Sequence, residues 1–339
     1  MSTVSTSPRF LLIAPRYFGY EQEIAAELTR SGLQVDLLPD RPFNSPFSKA
    51  VMRFSPELGG HRTCDRFFAQ RMEELGRRDY ATILVIQGEG VTVNTLIGLR
   101  TAYPRAQLVF YTWDSIENKP FSKRNLSLYD RCSTFDPVDA KKYSMGFRPL
   151  FYTEGFDRPA DSAYTYDLSF IGTVHSDRYR IVRALLEQLP QGTRTFVYLY
   201  LQAPWMYDLR RLFTNTLDGA KREDFRFDPL DKVVVQATFF GSRAVLDIEH
   251  TKQRGATMRT MEALGSKRKM VTTNATLRDY DFYNPTNIQI IDRKTPQLNQ
   301  EFLRTPYEAV PENVRQKYSL RQWVRDVCGF GDTKEGLGS

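Results

Sequence analysis

Apolar residues gather along the chain in short continuous runs, at residues 10–14, 82–86, 107–112, 167–171, 195–201 and 244–248. Runs of this kind are how strands buried on both faces of a parallel sheet read. Stretches of helical composition separate them at 21–30, 64–77, 93–103, 177–189 and 205–215. Phe67, Phe68, Met72 and Leu75 form one apolar stripe, and Ile181, Val182, Leu185, Leu186 and Leu189 another. Shorter strands are expected at 34–38, 131–135 and 270–273, so the order strand, helix, strand repeats and predicts an α/β fold with parallel crossovers. Asp136-Pro137 suits the N-cap and first position of a helix. Residues 230–240 fit either a strand or a helix; topology favours the helix, capped by Asp231 and ended by Gly241, although Val233, Val234 and Val235 are β-branched.

Two weakly patterned stretches divide this series. Residues 39–63 are rich in Pro, Ser, Phe and Gly and predict a long loop. Residues 154–163 carry Gly155, Pro159 and Ser162 and mark a domain boundary. The expected organisation is an N-terminal domain over 1–155, a C-terminal domain over 156–305, and a helical segment and tail over 306–339, in which Leu320, Trp323, Val324 and Val327 are apolar. A length of 339 residues agrees with two cores of roughly 150 residues each.

Composition narrows the function classes. Hydrophobic residues make up 41% and charged residues 26%, a globular balance. Lys and Arg exceed Asp and Glu by 47 to 40, which favours anionic partners, but the basic residues lie in separate short clusters and do not foretell nucleic-acid binding. Cys64, Cys132 and Cys328 are far apart and odd in number, so a disulfide framework and a zinc site lack support and a reducing, cytoplasmic setting is expected. No run reaches the ~20 apolar residues of a membrane span. Any membrane contact is therefore expected to be peripheral, at the inner face of the cytoplasmic membrane.

The chemistry concentrates in residues 246–274, read as a strand, a basic loop with Lys252, Arg254 and Gly255, a helix from Thr257, and a second strand. Cationic side chains beside the free N–H groups of a helix start suit a phosphate or diphosphate. Arg259 and Glu262 share a helix face: an arginine there can hold phosphate bidentately, and a glutamate can accept from ribose hydroxyls. Met258, Met261 and Leu264 are core. Gly172, Thr173, His175 and Arg178 form a second, similar turn between strand and helix. Asp247 reads as a buried anchor of the loop, and His250 either bonds a phosphate or donor hydroxyl or is a satisfied structural group. Glu89 and Asp114 end two strands on the edge where parallel sheets bind ligands. Asp114 is equally suited to an Asx turn. The first unit lacks GxGxxG, which disfavours NAD. Asp279-Tyr280-Asp281, a DxD string, lies in an aromatic turn and reads as a structural or sugar-contacting loop.

The segments DIEHTKQRGATMRTMEALGSKRKMVTTN and RDYDFYNPTNIQIID resemble the C-terminal domain of GT-B glycosyltransferases, in particular bacterial CgeB-like enzymes of lipopolysaccharide and capsule assembly; DLSFIGTVHSDR and YTWDS extend the likeness over most of the chain. The resemblance implies two Rossmann-like domains facing across a cleft. It implies sugar transfer from a nucleotide sugar to a surface-glycan or lipid-linked acceptor, without a cofactor or a catalytic metal. Gly172, Thr173 and Arg178 would line the donor side, with Gly255 and Asn274 in the same donor unit. Lys252, Arg254 and Arg259 would neutralise the diphosphate, Glu262 would contact the ribose or sugar, and His250 would stand beside them. Asp114 would be the general base if the reaction inverts configuration, and would only position the acceptor if it retains. A nucleotide-sugar epimerase and a non-catalytic nucleotide-binding module share these features; nucleic acid is not an expected partner.

Overall fold

A computed structural model of the chain describes residues 7–42, 60–157 and 163–329. Its contacts separate two units, Met1–Pro149 with Leu320–Ser339, and Leu150–Ser319. The division thus falls just before the expected linker, of which residues 158–162 lie outside the described residues, as do 43–59 of the expected long loop. Residues 61–63 of that loop belong to a helix instead.

The first unit is a parallel sheet of β1 (Arg9–Ala14), β2 (Gln34–Pro39), β3 (Tyr80–Ile86), β4 (Gln107–Thr112), β5 (Arg131–Thr134) and β6 (Gly146–Phe147), in the order β2-β1-β3-β4-β5-β6. Helices α1 (Tyr20–Arg30), α2 (His61–Leu75), α3 (Val93–Ala102) and α4 (Pro137–Lys142) connect the strands. The apolar runs are the central strands: Leu11, Ile13, Ile83, Val85, Leu108 and Phe110 share one core with Phe68 of α2 and Leu96 and Leu99 of α3. Asp136 caps α4 by accepting from the N–H groups of Val138 and Asp139, and Pro137 takes its first position.

The second unit repeats the plan with β7 (Tyr166–Thr173), α5 (Arg178–Leu186), β8 (Thr195–Tyr200), α6 (Pro204–Phe213), β9 (Phe225–Arg226), α7 (Lys232–Gly241), β10 (Ser242–Asp247), α8 (Met258–Gly265), β11 (Lys269–Thr272) and β12 (Ile288–Ile290). The strands are parallel in the order β12-β11-β10-β7-β8-β9. The ambiguous stretch at 230–240 is helical, with Asp231 accepting from Val233 N–H. Phe170, Ala244, Leu246 and Val271 from the sheet pack with Ile181, Val182 and Leu185 of α5. Helix α9 is Gln300–Arg304, and the closing segment from 306 holds two helices separated by a turn, α10 (Glu312–Gln316) and α11 (Leu320–Cys328). Helix α11 belongs to the first unit: Leu320, Trp323, Val324, Val327 and Cys328 are buried at helical spacing, and Trp323 meets Tyr111 of β4 edge-on at 4.8 Å.

Both sheets reverse direction once. The chain runs outward from β1 to β2 and returns to β3 on the other side, and likewise from β7 through β9 to β10. Such switch points leave a crevice at the carboxyl ends of the two strands concerned. None of the described helices is long and apolar enough to cross a membrane.

Helix α8 fits its unit only because it ends in glycine. A Cβ on Gly265 would stand 2.6 Å from Cγ and 2.8 Å from Cδ2 of Tyr152, whose ring is 1% exposed and whose hydroxyl takes a bond from Arg315. Alanine would gain up to about 1 kcal/mol in helix propensity and lose about 1–3 kcal/mol to overpacking. Gly265→Ala is therefore expected to destabilise the protein in urea unfolding; an unchanged or higher midpoint would show that the ring yields freely.

Candidate active site

The second switch point, between the ends of β7 and β10, is closed by two arginines. Arg178, the first residue of α5 and 6% exposed, donates from Nε to the Ile248 carbonyl at 3.0 Å and from a terminal nitrogen to the Thr173 carbonyl at 2.6 Å. It thereby ties the loop after β7 to the end of β10. Arg259, from the first turn of α8, donates to Asp247 Oδ1 at 3.1 Å and to the Ile171 carbonyl. Both guanidinium groups lie over the Phe170 ring, 5.8 and 5.3 Å from its centroid. Gly172 passes between them. A Cβ there would be 2.7 Å from a terminal nitrogen of Arg259 and 3.3 Å from one of Arg178, so only glycine leaves both cations in place.

Asp247, fully buried at the end of β10, organises the start of α8. Its second oxygen accepts from the hydroxyls of Thr257 at 2.8 Å and Thr260 at 2.6 Å. Those threonines also cap α8 reciprocally, each hydroxyl accepting from the other's backbone N–H. The carboxylate is the anchor that the sequence suggests, and Arg259 completes its partners.

His175 and His250 meet at the mouth, with ring centroids 5.0 Å apart. The Lys252 N–H donates to His250 Nδ1 at 3.2 Å, which leaves Nε2 as the ring atom that can donate. His175 is pushed down to about 2, first by burial and then by the charges of Arg178, His250, Arg259 and Arg210. Arg210, on α6, donates to the Val174 carbonyl at 2.6 Å. Burial comes first and the neighbouring cations act in the same direction, and together they hold the imidazole neutral.

The basic loop after β10 is held from behind. Asn274 Nδ2 donates to the carbonyls of Arg254 at 3.4 Å and Gly255 at 3.1 Å, and the Tyr280 hydroxyl accepts from Ala256 N–H at 3.1 Å. Asn274 therefore supports the loop with its amide, Gly255 is buried in it, and Lys252 and Arg254 stand exposed on it. Asp281 of the DxD string accepts from Lys317 and from the Tyr318 hydroxyl, each at 2.7 Å, so that string is a structural turn. Glu262 lies buried on the second turn of α8.

Beside the loop a cavity of about 470 Å³ is lined by Glu249, Arg254, Thr273, Arg278 and Arg293, among others. Arg293 bridges Glu249 at 2.6 Å and Asp177 at 3.0 Å. Burial raises the Glu249 carboxyl; for Asp177 burial acts in the same sense, but Arg293 prevails and lowers it. Neither Glu249 nor Arg293 stands out in the sequence, because their meeting depends on how β10 and the segment after β12 are placed.

In the first unit Asp114 follows β4. Its Oδ1 accepts from Ser115 N–H at 2.9 Å and from Asn118 Nδ2 at 3.1 Å, which is the turn-forming role, with the second oxygen left to other partners. Glu89 is paired with Arg41 and Lys119; burial opposes its ionisation, and the two cations outweigh it and lower its pKa.

No protein-family model and no curated protein sequence matches the chain. Solved structures do. A glycosyltransferase from Rickettsia africae is similar at TM-score 0.57 and 10% identity, over 96% of this chain and 98% of that one. OtsA in its apo form gives 0.61 and 12%, over 97% and 100%. Anabaena HepE, solved in complex with UDP and glucose, gives 0.60 and 10%, over 94% and 98%. The chain has the GT-B glycosyltransferase fold. In GT-B terms the second unit carries the paired arginines, the histidines and the basic loop, and the first carries Asp114.

Two outcomes test this geometry. Asp247→Ala strands Arg259 and two hydroxyls and is expected to cost about 3 kcal/mol in chemical denaturation, with Asp247→Asn milder; a loss below half a unit of that scale would remove Asp247 from its central place. His175 should remain neutral by ring NMR from pH 7 through pH 4. Its folded pKa lies below the unfolded one, so it subtracts stability progressively as pH falls below about 6.5, where only the unfolded chain takes up the proton. A titration midpoint near 6 in the folded protein would contradict the positive field.

Proposed function

We propose that this protein is a glycosyltransferase that moves a sugar from a nucleotide sugar to an acceptor, without a catalytic metal. The observation that carries the reading is the placing of Arg178 and Arg259 on either side of Gly172 at the β7/β10 switch point, with Arg210 on the Val174 carbonyl. When the bond from the sugar to the diphosphate breaks, negative charge grows on the leaving oxygen. Fixed cations already oriented by Asp247 and by backbone carbonyls stabilise that charge without reorganising.

Within this reading Arg259 and Arg178 set the field, and Lys252 and Arg254 on the exposed loop add to it. Gly172 and Thr173 line the diphosphate, with Gly255 and Asn274 shaping the loop. His250 donates from Nε2 to a phosphate or sugar hydroxyl, and Glu262 accepts from the ribose. Asp114 of the first unit is the general base that takes the acceptor's proton in an inverting transfer. The UDP and glucose held by HepE support a nucleotide sugar as donor. The acceptor is a bacterial surface glycan or its lipid-linked precursor at the inner face of the membrane. Trp205, Leu209, Leu212 and Phe213 stand exposed on one face of α6, with Arg211 on the opposite side, an amphipathic arrangement of the kind a lipid surface takes up.

The test is incubation of the purified protein with a panel of nucleotide sugars, with and without glycan acceptors and with EDTA present. Free nucleotide is expected from at least one donor, undiminished by the chelator. Glu262→Gln and Arg259→Ala should each lower that rate by about a hundredfold or more, read alongside a melting curve that reports folding. No nucleotide release and no thermal shift with any donor would sink the reading.

A further inference from the structure

The bond from Arg178 to the Ile248 carbonyl has a carboxylate next to each of its ends in the chain. Asp177, which precedes Arg178, stands at the N-cap position of α5, yet its side chain makes no capping bond to that helix. Glu249, which follows Ile248, is 4% exposed. Both carboxylates meet the same guanidinium, that of Arg293 in the segment after β12. Arg293 Nε donates to Asp177 Oδ2 at 3.0 Å and a terminal nitrogen donates to Oδ1 at 3.0 Å, a bidentate pair. That nitrogen also donates to the Glu249 carbonyl at 2.7 Å. The other terminal nitrogen donates to Glu249 Oε1 at 2.6 Å and to the Thr273 hydroxyl at 3.3 Å.

These bonds close a ring. Arg178 reaches Ile248, Glu249 is the next residue, Arg293 joins Glu249 to Asp177, and Asp177 leads back into Arg178. Asp177 cannot shift without drawing Arg178 with it, and Glu249 cannot shift without moving the carbonyl that Arg178 holds. The turn into α5 needs such a hold, because Ser176 sits at φ 51°, a left-handed conformation that serine rarely adopts. Arg293 is itself tied back to α5, where Arg180 donates to its carbonyl at 2.7 Å.

All five N–H groups of Arg293 are engaged within this cluster, so the residue acts on its neighbours and not on a ligand. We infer that Arg293 is the positioning residue of the crevice: its planar fork, bonded to Asp177 on one side and Glu249 on the other, holds Arg178 where the donor diphosphate meets it. The diphosphate in that statement rests on the transferase reading; the ring does not. Shape matters here as much as charge. A lysine carries the same charge, but a single ammonium cannot span both carboxylates and the Glu249 carbonyl. With no cation at all, Asp177 and Glu249 lose their shared partner and compete for Arg178.

Glu249, Thr273 and Arg293 also line the 470 Å³ cavity, whose wall includes the exposed Arg254 and Arg278, so a small cation can enter once the Arg293 side chain is removed. UDP is titrated calorimetrically into the full-length wild type, Arg293→Ala and Arg293→Lys, each checked for folding by its urea midpoint. Each titration is run with about 50 mM guanidinium chloride and with the same concentration of sodium chloride. Both variants should bind at least about tenfold more weakly, and guanidinium, unlike sodium, should recover most of the loss in Arg293→Ala. Guanidinium destabilises folded proteins in general, so its rescue reports a refilled fork and not added stability. Wild-type affinity in Arg293→Lys, or a loss in Arg293→Ala that guanidinium leaves unchanged, would overturn the inference. If Arg293→Ala does not fold, Arg293→Lys decides. A second arm needs no ligand: by heteronuclear NMR the Arg178 Nε–H should exchange with solvent at least about tenfold faster in Arg293→Lys than in wild type, and equal exchange overturns the inference. Wild type that binds no nucleoside diphosphate removes the transferase reading and leaves the ring to the exchange measurement; tight binding that both variants retain removes the positioning role and leaves the transferase standing.

Discussion

The second unit depends on one buried carboxylate. Asp247 is withdrawn from water at the end of β10, and burying an unpaired charge there would cost several kcal/mol, so its oxygens must be met. Two threonine hydroxyls and one guanidinium meet them. Each of those donors then has a second duty. Thr257 and Thr260 start helix α8, and Arg259 reaches on to the Ile171 carbonyl of β7. Helix start and cation placement therefore both follow from one charge being satisfied.

The same economy lets the cations keep their charge while being bonded. Arg178 and Arg259 spend N–H groups on carbonyl oxygens, and carbonyl partners orient a guanidinium without neutralising it. Asp247 offsets the charge of Arg259 directly, and three arginines stand near His175. The crevice stays positive and rigid, which is what a leaving diphosphate requires and what a surface lysine cluster screened by salt does not provide. The two switch points share a topology and differ in the side chains they carry.

Much of the fold is legible in the sequence because parallel strands buried on both faces read as continuous apolar runs, and because Asp136, Asp231 and Thr257 announce their helices by capping. Strands β6, β9 and β12 are two or three residues long and carry no period to detect. Gly172, Arg178 and Arg259 were recognisable by type, a glycine at a strand end and arginines at helix starts. Their actual partners, the carbonyls of Ile171, Thr173 and Ile248, depend on β7 lying beside β10, a pairing of segments far apart in the chain. Arg293 bridging Glu249 and Asp177 is hidden for the same reason. Asn274 shows the opposite limit: its position near the loop is visible, but that its amide faces the loop carbonyls is a fact of three dimensions. Helix α11 also returns to the first unit, which a reading along the chain places at the end of the second.

On the proposed reading Gly172 lets two oriented arginines present their charge to a nucleoside diphosphate. Calorimetric titration of UDP and other nucleoside diphosphates into wild type and Gly172→Ala tests it most directly, since the added methyl would meet the Arg259 guanidinium at 2.7 Å. The account requires that wild type binds at least one of them and that the variant, still folded by its melting curve, binds it at least about tenfold more weakly. Equal affinity in the two proteins, or no binding by wild type, would contradict it.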